Sequence, residues 1–185
     1  MYFINGLIRN LVNMITFKEF KKLKKDDITI FCDMDGVLTN FLGGIARHLG
    51  KKEFEQGDID KVLLTDAGTS KGWWVALDPL PDQKTLWKYI SQYNIEILSA
   101  CPSICRNDKA VMEGKKAWVK KHCKPSPSKV NIVQRKDKRK FAAPNHILID
   151  DHIRNIKDFE SAGGHGIVHK SAIKTIKELK GMISG

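Results

Sequence analysis

Short apolar runs alternate with amphipathic stretches along the chain from residue 28 onward. Four of the runs are rich in β-branched or other apolar residues and have the length of buried strands: 28–32, 95–98, 130–133 and 146–149. Apolar residues recur at helical spacing between them, over 82–93 and 108–122. Strands that alternate with helices indicate an α/β fold, a doubly wound parallel sheet with helices on both faces.

Residues 1–26 show a different pattern and are predicted to form an extension that precedes one domain over 27–185. Its apolar residues recur at helical spacing and are followed by five lysines within 18–25. This pattern predicts an amphipathic helix with a basic C-terminal end, which the helix dipole favours. Such a helix could pack on the domain, or it could bind a membrane surface or a partner.

Polar and acidic residues follow three of the predicted strands. Asp33 and Asp35 come after the first run, Ser99 after the second, and Asp150 and Asp151 after the run 146–149. The carboxyl ends of parallel strands meet at one edge of the sheet, where the binding crevice lies. Single aspartates are commonly turns or helix caps, but four gathered there need a cation, and oxygen ligands favour Mg²⁺ over zinc.

The composition favours anionic partners of a globular protein. Hydrophobic residues make up 42% of the 185 residues and charged residues 29%, while 32 Lys and Arg against 21 Asp and Glu give a net charge of +11. This charge would attract phosphorylated metabolites, nucleotides or nucleic acid. It does not choose among them, and a solubilising role is equally compatible with it.

Cysteine usage and hydropathy bear on the compartment. The four cysteines show no CxxC pair, so reduced thiols are expected rather than disulfides or a metal site. No apolar run reaches the roughly 20 residues that span a bilayer, and polar residues interrupt any signal-peptide core near the N-terminus. We therefore expect a cytoplasmic protein without a transmembrane segment.

The motifs at the strand ends resemble the four signatures of the haloacid-dehalogenase (HAD) superfamily. The segment 28–39, with Asp33-Met-Asp35-Gly36-Val-Leu-Thr, resembles the first signature, and Ser99 matches the second. A lysine within 135–140 would be the third, and Asp150-Asp151 the fourth. The resemblance covers nearly the whole chain from residue 28 and implies a Mg²⁺-dependent phosphohydrolase.

The resemblance also implies a role for each matched residue. Asp33 would attack a phosphate monoester and become transiently phosphorylated, and Asp35 would act first as general acid and then as general base. The implied metal ligands are Asp33, the backbone carbonyl of Asp35, Asp150 and Asp151. Ser99 and the lysine would bind phosphoryl oxygens. Lys138 is favoured as that lysine, because a helix leading to the last predicted strand could start there, and Lys140 is the alternative.

The segment 40–85 has the length of a small helical cap inserted after the first strand. Within it, the stretch 71–81 resembles the aromatic and LxPLP sequence of 5'(3')-deoxyribonucleotidases, and Pro102 and the stretch 114–119 also resemble that family. Asn40, where many relatives carry an acid, and the N-terminal extension depart from it. The implied substrate is a small-molecule nucleotide, a deoxyribonucleoside monophosphate. Candidates for stacking on its base are Phe41, Trp73 and Trp74, with one tryptophan of the pair expected in the cap core.

Two alternatives stay open on the sequence alone. The same chemistry could act on the terminal phosphate of a polynucleotide, which the charge of +11 would favour. A non-enzymatic module that binds nucleic acid or a protein partner is the other alternative. The full set of Asp33, Asp35, Ser99 and Asp150 argues against it.

Overall fold

The computed structural model describes residues 23–65, 67, 70–105 and 108–184, and the predicted N-terminal helix falls mostly on residues outside this set. The strands are β1 (Leu23–Lys24), β2 (Thr29–Cys32), β3 (Asn94–Ala100), β4 (Lys129–Val133), β5 (His146–Asp150), β6 (His165–Val168) and β7 (Ile183–Ser184). The helices are α1 (Phe41–Leu49), α2 (Gln56–Leu64), α3 (Lys71–Val75), α4 (Gln83–Ile90), α5 (Asp108–His122), α6 (Ile153–Ser161) and α7 (Ala172–Met182). Two 3-10 helices span Lys25–Asp27 and Arg135–Phe141.

Five strands form an all-parallel sheet in the order β4-β3-β2-β5-β6, with β2 at its centre. Cys32 at the end of β2 lies opposite Ile97 of β3 and Ile149 of β5. The four strands predicted from the sequence are all present, and the predicted parallel α/β class is confirmed. This register places Asp33, which follows β2, beside Asp150, the last residue of β5.

Alternate side chains of the central strands enter two different hydrophobic cores, because successive residues of a strand face opposite sides. Ile30, Cys32 and Ile149 pack into the larger core with residues of α4, α5 and α7. Phe31, Leu98 and Leu148 pack on the other face, against Ile156 and Phe159 of α6. Helices therefore cover both faces of the sheet, as the sequence predicts.

Two features differ from the sequence prediction near the chain ends. Leu23 and Lys24 form a short strand paired in parallel with Ile183 and Ser184, although the predicted helix runs to residue 26. Because these two residues pair with a strand far away in the sequence, they are extended and do not continue the helix that the apolar spacing predicts. Strand β6, which carries His165 and Gly166, is not among the predicted strands because its residues lack a β-branched apolar run.

Helices α1 to α3 fill the segment between β2 and α4, and they share a small core of their own. Ile45 and Val62 are buried in this core, and Phe41 and Trp73 pack against it. The side chain of Asn40 caps α1 by accepting a hydrogen bond from the backbone N–H of Gly43 at 3.0 Å. These helices lie within the segment 40–85, for which a small cap stays a prediction. No described helix combines the length and the apolar character that a membrane crossing requires.

Candidate active site

The crevice between the carboxyl ends of β2 and β5 holds the predicted acidic residues. The chain continues from β2 towards β3 and β4 on one side, and from β5 to β6 on the other, so these two strands flank the switch point of the sheet. Ligands of open α/β sheets bind at such a point. The backbone N–H of Asp33 donates to the carbonyl oxygen of Ile149 at 2.9 Å, which fixes Asp33 beside Asp150.

Three carboxylates meet closely enough at this point to share a cation. Asp33, Asp150 and Asp151 each offer an oxygen atom, and these atoms lie within 4.8 Å of one another. Asp33 and Asp150 are buried, whereas Asp151 lies at the exposed side of the crevice. A ligand set made only of carboxylate oxygens suits a hard cation such as Mg²⁺.

Burial, together with repulsion between these carboxylates, raises the pKa values of Asp150 and Asp151. Withdrawal from solvent, and then the negative charges of Asp33 and Asp150, raise the pKa of Asp151 to about 7. Burial and the charge of Asp33 also raise the pKa of Asp150, although Lys138 opposes this shift. The site therefore favours bound protons or a bound cation over bare carboxylates.

Lys138 lies inside this cluster, on the 3-10 helix Arg135–Phe141. Its Nζ lies 2.9 Å from Oδ2 of Asp33 and 2.7 Å from Oδ2 of Asp150. Burial alone would lower the pKa of Lys138, but these two carboxylates outweigh it and raise the pKa above its ordinary value. The alternative, Lys140, has a side chain that is 73% exposed and pairs with Asp137, so the structure brings only Lys138 to the cluster.

Two further groups hold Asp150 and are not among the predicted site residues. The side-chain amide of Asn155 donates to both oxygens of Asp150, at 2.9 and 3.0 Å. The backbone N–H of His152 donates to Oδ1 of Asp150 at 2.9 Å. Asn155 lies in the first turn of α6, and its sequence signal is an amide side chain on the buried face of that helix.

A tight turn over 33–39 separates Asp35 from the carboxylate cluster. Gly36 has a φ of +78°, and a Cβ at this position would overlap the carboxylate of Asp151. The hydroxyl of Thr39 donates to Oδ1 of Asp35 at 2.9 Å. Asp35 is therefore held two residues from Asp33 with different neighbours, which allows the two carboxyl groups to serve different purposes.

Lys115 of α5 joins Asp35 to Ser99, and sequence reasoning assigns it no role. Its Nζ lies 2.6 Å from Oδ2 of Asp35 and 3.0 Å from Oγ of Ser99. Both Lys115 and Ser99 are fully buried, so they form a layer behind Asp35. The signal for Lys115 is its position in the apolar stripe of α5, between the buried Val111 and Trp118, where a solvated lysine is not expected.

The predicted aromatic residues form one cluster beside this layer. The ring of Trp74 stacks on Phe41 with centroids 5.9 Å apart, and Trp73 meets both rings edge-on. Trp74 is 1% exposed and donates its indole N–H to the carbonyl oxygen of Ala67, so it belongs to the core. Phe41 and Trp73 are half-buried, and Trp73 lines a surface cavity of about 190 Å³ together with Arg47 and His48.

No protein-family model matches the chain, and no curated protein matches it. Solved structures do share its fold. A HAD-superfamily hydrolase from Ehrlichia chaffeensis aligns with a TM-score of 0.51 and 13% identity, over 88% of this chain and 100% of its own. A subfamily IA HAD hydrolase from Geobacter sulfurreducens aligns with a TM-score of 0.51 and 8% identity. The alignment covers 84% of this chain and 98% of that protein.

A dehalogenase crystallised with an intermediate complex gives a TM-score of 0.53 at 13% identity, over 88% of this chain and 99% of its own. At these identities the likeness shows the fold, which is the fold that the sequence motifs imply.

Proposed function

We propose that this chain, which has the fold of HAD-superfamily hydrolases, is a Mg²⁺-dependent phosphomonoesterase that works through an aspartyl phosphate on Asp33. One observation carries the proposal. Asp33 shares a carboxylate cluster with Asp150 and Asp151, while Asp35, two residues away, is held apart by Thr39 and Lys115. One carboxylate is thus available for attack and the other for proton transfer.

Asp33, Asp150 and Asp151 would hold the cation, with the backbone carbonyl of Asp35 as a further proposed ligand. The charges fit this assignment, since Asp33, Asp150 and Asp151 carry three negative charges when ionised, against one positive charge on Lys138. One divalent cation would balance the remainder. Bound Mg²⁺ would neutralise the carboxylates and polarise the phosphoryl group.

The chemistry has two balanced steps. A carboxylate oxygen of Asp33 forms a bond to phosphorus as the bond to the leaving oxygen breaks, and Asp35 gives its proton to that oxygen. Asp35 then takes a proton from a water molecule, whose oxygen attacks phosphorus. The bond between phosphorus and Asp33 breaks, which restores the carboxylate and releases inorganic phosphate.

Lys138 supports the first step through its contact with Asp33. Its ammonium group offsets negative charge that would otherwise repel the phosphate, and it lies at the cluster where that charge develops. The sequence motif implies that Ser99 binds the phosphoryl group, whereas its position favours a supporting role. The Ser99 hydroxyl is buried and accepts a hydrogen bond from Lys115, which in turn donates to Asp35.

Dehalogenation, the activity named for one structure of this fold, fits these residues less well. A halide leaves carbon as a stable anion and needs no proton from Asp35. It also offers no phosphoryl oxygens to a cation at Asp33, Asp150 and Asp151. Halide release from a short haloacid is the assay that tests this alternative.

Deoxyribonucleoside monophosphates are the proposed substrates. The support is the resemblance of the stretch 71–81 to deoxyribonucleotidases and the half-buried Phe41 and Trp73 in the segment that follows the first signature. Phe41 is the closer of the two in sequence to Thr39, which contacts Asp35. The net charge of +11 favours a polynucleotide terminus as the second candidate substrate.

A phosphate-release screen over 5'- and 3'-monophosphates, with Mg²⁺ or with excess chelator, tests the proposal. We expect release only with Mg²⁺ and highest turnover for deoxyribonucleotides. Addition of unphosphorylated DNA at modest salt distinguishes the two candidate substrates. DNA should inhibit an enzyme that binds polynucleotides and should not inhibit one that binds only mononucleotides. Full activity in excess chelator would show that the reaction does not need a metal ion.

A further inference from the structure

Lys115 lies at the centre of a buried set of contacts behind Asp35. Its Nζ donates to Oδ2 of Asp35 at 2.6 Å, to Oγ of Ser99 at 3.0 Å and to the carbonyl oxygen of Ala100 at 2.7 Å. An ammonium group has three N–H donors, and these three acceptors use all of them. Lys115 therefore has no N–H left for a substrate oxygen while the contacts persist.

The indole ring of Trp74 covers this ammonium group. The Nζ of Lys115 lies 4.8 Å from the ring centroid, within the range of a cation–π interaction. Helix α3 approaches α5 this closely because residue 114 is glycine. A Cβ there would lie 2.6 Å from the Cβ of Trp74. Trp74 thus excludes water from the ion pair and strengthens its attraction.

Both oxygens of Asp35 are fixed by this arrangement. Lys115 holds Oδ2 and the hydroxyl of Thr39 holds Oδ1 at 2.9 Å, while 24% of the Asp35 side chain stays exposed to the crevice. A group that transfers a proton must lie within hydrogen-bond reach of the reacting oxygen. A misplacement of about 1 Å can reduce the rate about 100-fold.

We infer that Lys115 is a positioning residue, which together with Ser99 and Trp74 holds Asp35 in the orientation that proton transfer to the leaving group requires. The inference rests on the proposed phosphomonoesterase function. In this arrangement Trp74 supports Asp35 by covering Lys115. Phe41 and Trp73 are then the aromatic residues that remain available to a nucleobase.

The substitution Lys115→Met tests this role, since it keeps most of the side-chain length and removes the charge. Turnover of a deoxyribonucleoside monophosphate, whose leaving group needs a proton, should fall about 100-fold. Turnover of p-nitrophenyl phosphate should fall far less, because its leaving group needs little protonation. The KM should change little for either ester. Lys116→Met removes the same charge from the neighbouring exposed residue and should leave both esters unaffected.

Two other outcomes would overturn the inference. A higher KM for both esters, with weaker inhibition by inorganic phosphate, would make Lys115 a direct phosphoryl ligand. Equal loss of turnover for both esters, in proportion to the fraction of folded protein, would make its role purely structural. If Lys115→Met does not fold, Lys115→Gln retains hydrogen-bond donors without the charge and should show a smaller loss with the same selectivity between the two esters.

An inactive wild-type protein would refute the proposed function but would still leave the positioning role testable. The crystal structure of Lys115→Met should then show the Asp35 side chain displaced from its hydrogen bond with Thr39. An Asp35 side chain in the same rotamer, still bonded to Thr39, would overturn the inference whatever the activity.

Discussion

The ammonium group of Lys138 lies 2.9 Å from the carboxylate of Asp33, and each side chain is at least nine-tenths buried. The same ammonium group lies 2.7 Å from Asp150. Lys138 thus balances part of the negative charge that the three carboxylates bring to the switch point of the sheet. Removing a single partner from a buried ion pair leaves an uncompensated charge and is costly.

We therefore expect Lys138→Met to lower the free energy of unfolding by about 3 kcal/mol in chelator at neutral pH. Added Mg²⁺ should restore part of this loss, because it supplies positive charge at the same carboxylates. Chemical denaturation with and without Mg²⁺ measures both effects. Lys140→Met is the matched control, since its exposed side chain pairs only with Asp137, and it should change stability little. Equal losses in the two variants would contradict the buried charge balance.

The raised pKa of Asp151, about 7, predicts a pH dependence for the metal-free protein. The folded state holds this proton above the pH at which the unfolded state releases it, so stability falls as pH rises from about 4 to about 7. The side chain of the Asp151→Asn variant cannot ionise. The free energy of unfolding of the wild type should therefore fall relative to that of this variant as pH rises from about 4 to about 7.

Urea denaturation of both proteins in chelator at several pH values measures the difference. Mg²⁺ should reduce the difference in stability between the two proteins at neutral pH, because the bound cation takes the place of the proton. A stability difference that does not change between pH 4 and pH 7 would show that Asp151 titrates normally.

Gly36 predicts a link between the turn and metal binding. Gly36→Ala adds a Cβ where the carboxylate of Asp151 lies, at a φ of +78° that disfavours alanine. We expect a loss of about 1 kcal/mol or more in stability and a weaker affinity for Mg²⁺ by isothermal titration calorimetry. Gly50→Ala provides the control, since Gly50 also has a positive φ, of +65°, but open space around it. Unchanged Mg²⁺ affinity in Gly36→Ala would contradict the proposed ligand Asp151.

Much of the fold and the acidic cluster could be predicted from the sequence because both depend on local patterns. The apolar runs 28–32 and 146–149 predict buried parallel strands, and Asp33 and Asp150 directly follow these runs. Parallel strands bring their carboxyl ends together whatever the remaining structure. The adjacency of these two aspartates therefore needed no tertiary information beyond strand order.

The contacts of Lys115 could not be predicted in the same way. Asp35 and Lys115 are separated by 80 positions in the chain and meet only in the tertiary structure, where α5 also packs against α3 at Gly114. The separate tasks of Trp73 and Trp74 depend on the same packing, since adjacent helical residues face different directions. Residue type identifies such candidates, but their partners are set by tertiary structure.

The aromatic cluster leads to a prediction about substrate choice. Phe41→Ala and Trp73→Ala each remove a half-buried ring, and the one that stacks on the base should raise the KM for a deoxyribonucleoside monophosphate about tenfold. Turnover of p-nitrophenyl phosphate, which has no nucleobase, should change little in either variant. Steady-state kinetics with both esters provides the comparison. If both variants keep the wild-type ratio of the two activities, nucleobase stacking has no part in the site.

The central claim is that Asp33 is the nucleophile, and acid-quenched mass spectrometry of the protein mixed with substrate and Mg²⁺ tests it most directly. We predict one added phosphoryl group on Asp33 in the wild type, lost on treatment with hydroxylamine as an acyl phosphate would be. Asp33→Asn should retain the wild-type fold by circular dichroism and show neither the adduct nor phosphate release. Phosphate release by folded Asp33→Asn, or a phosphoryl group on a different residue, would contradict the account.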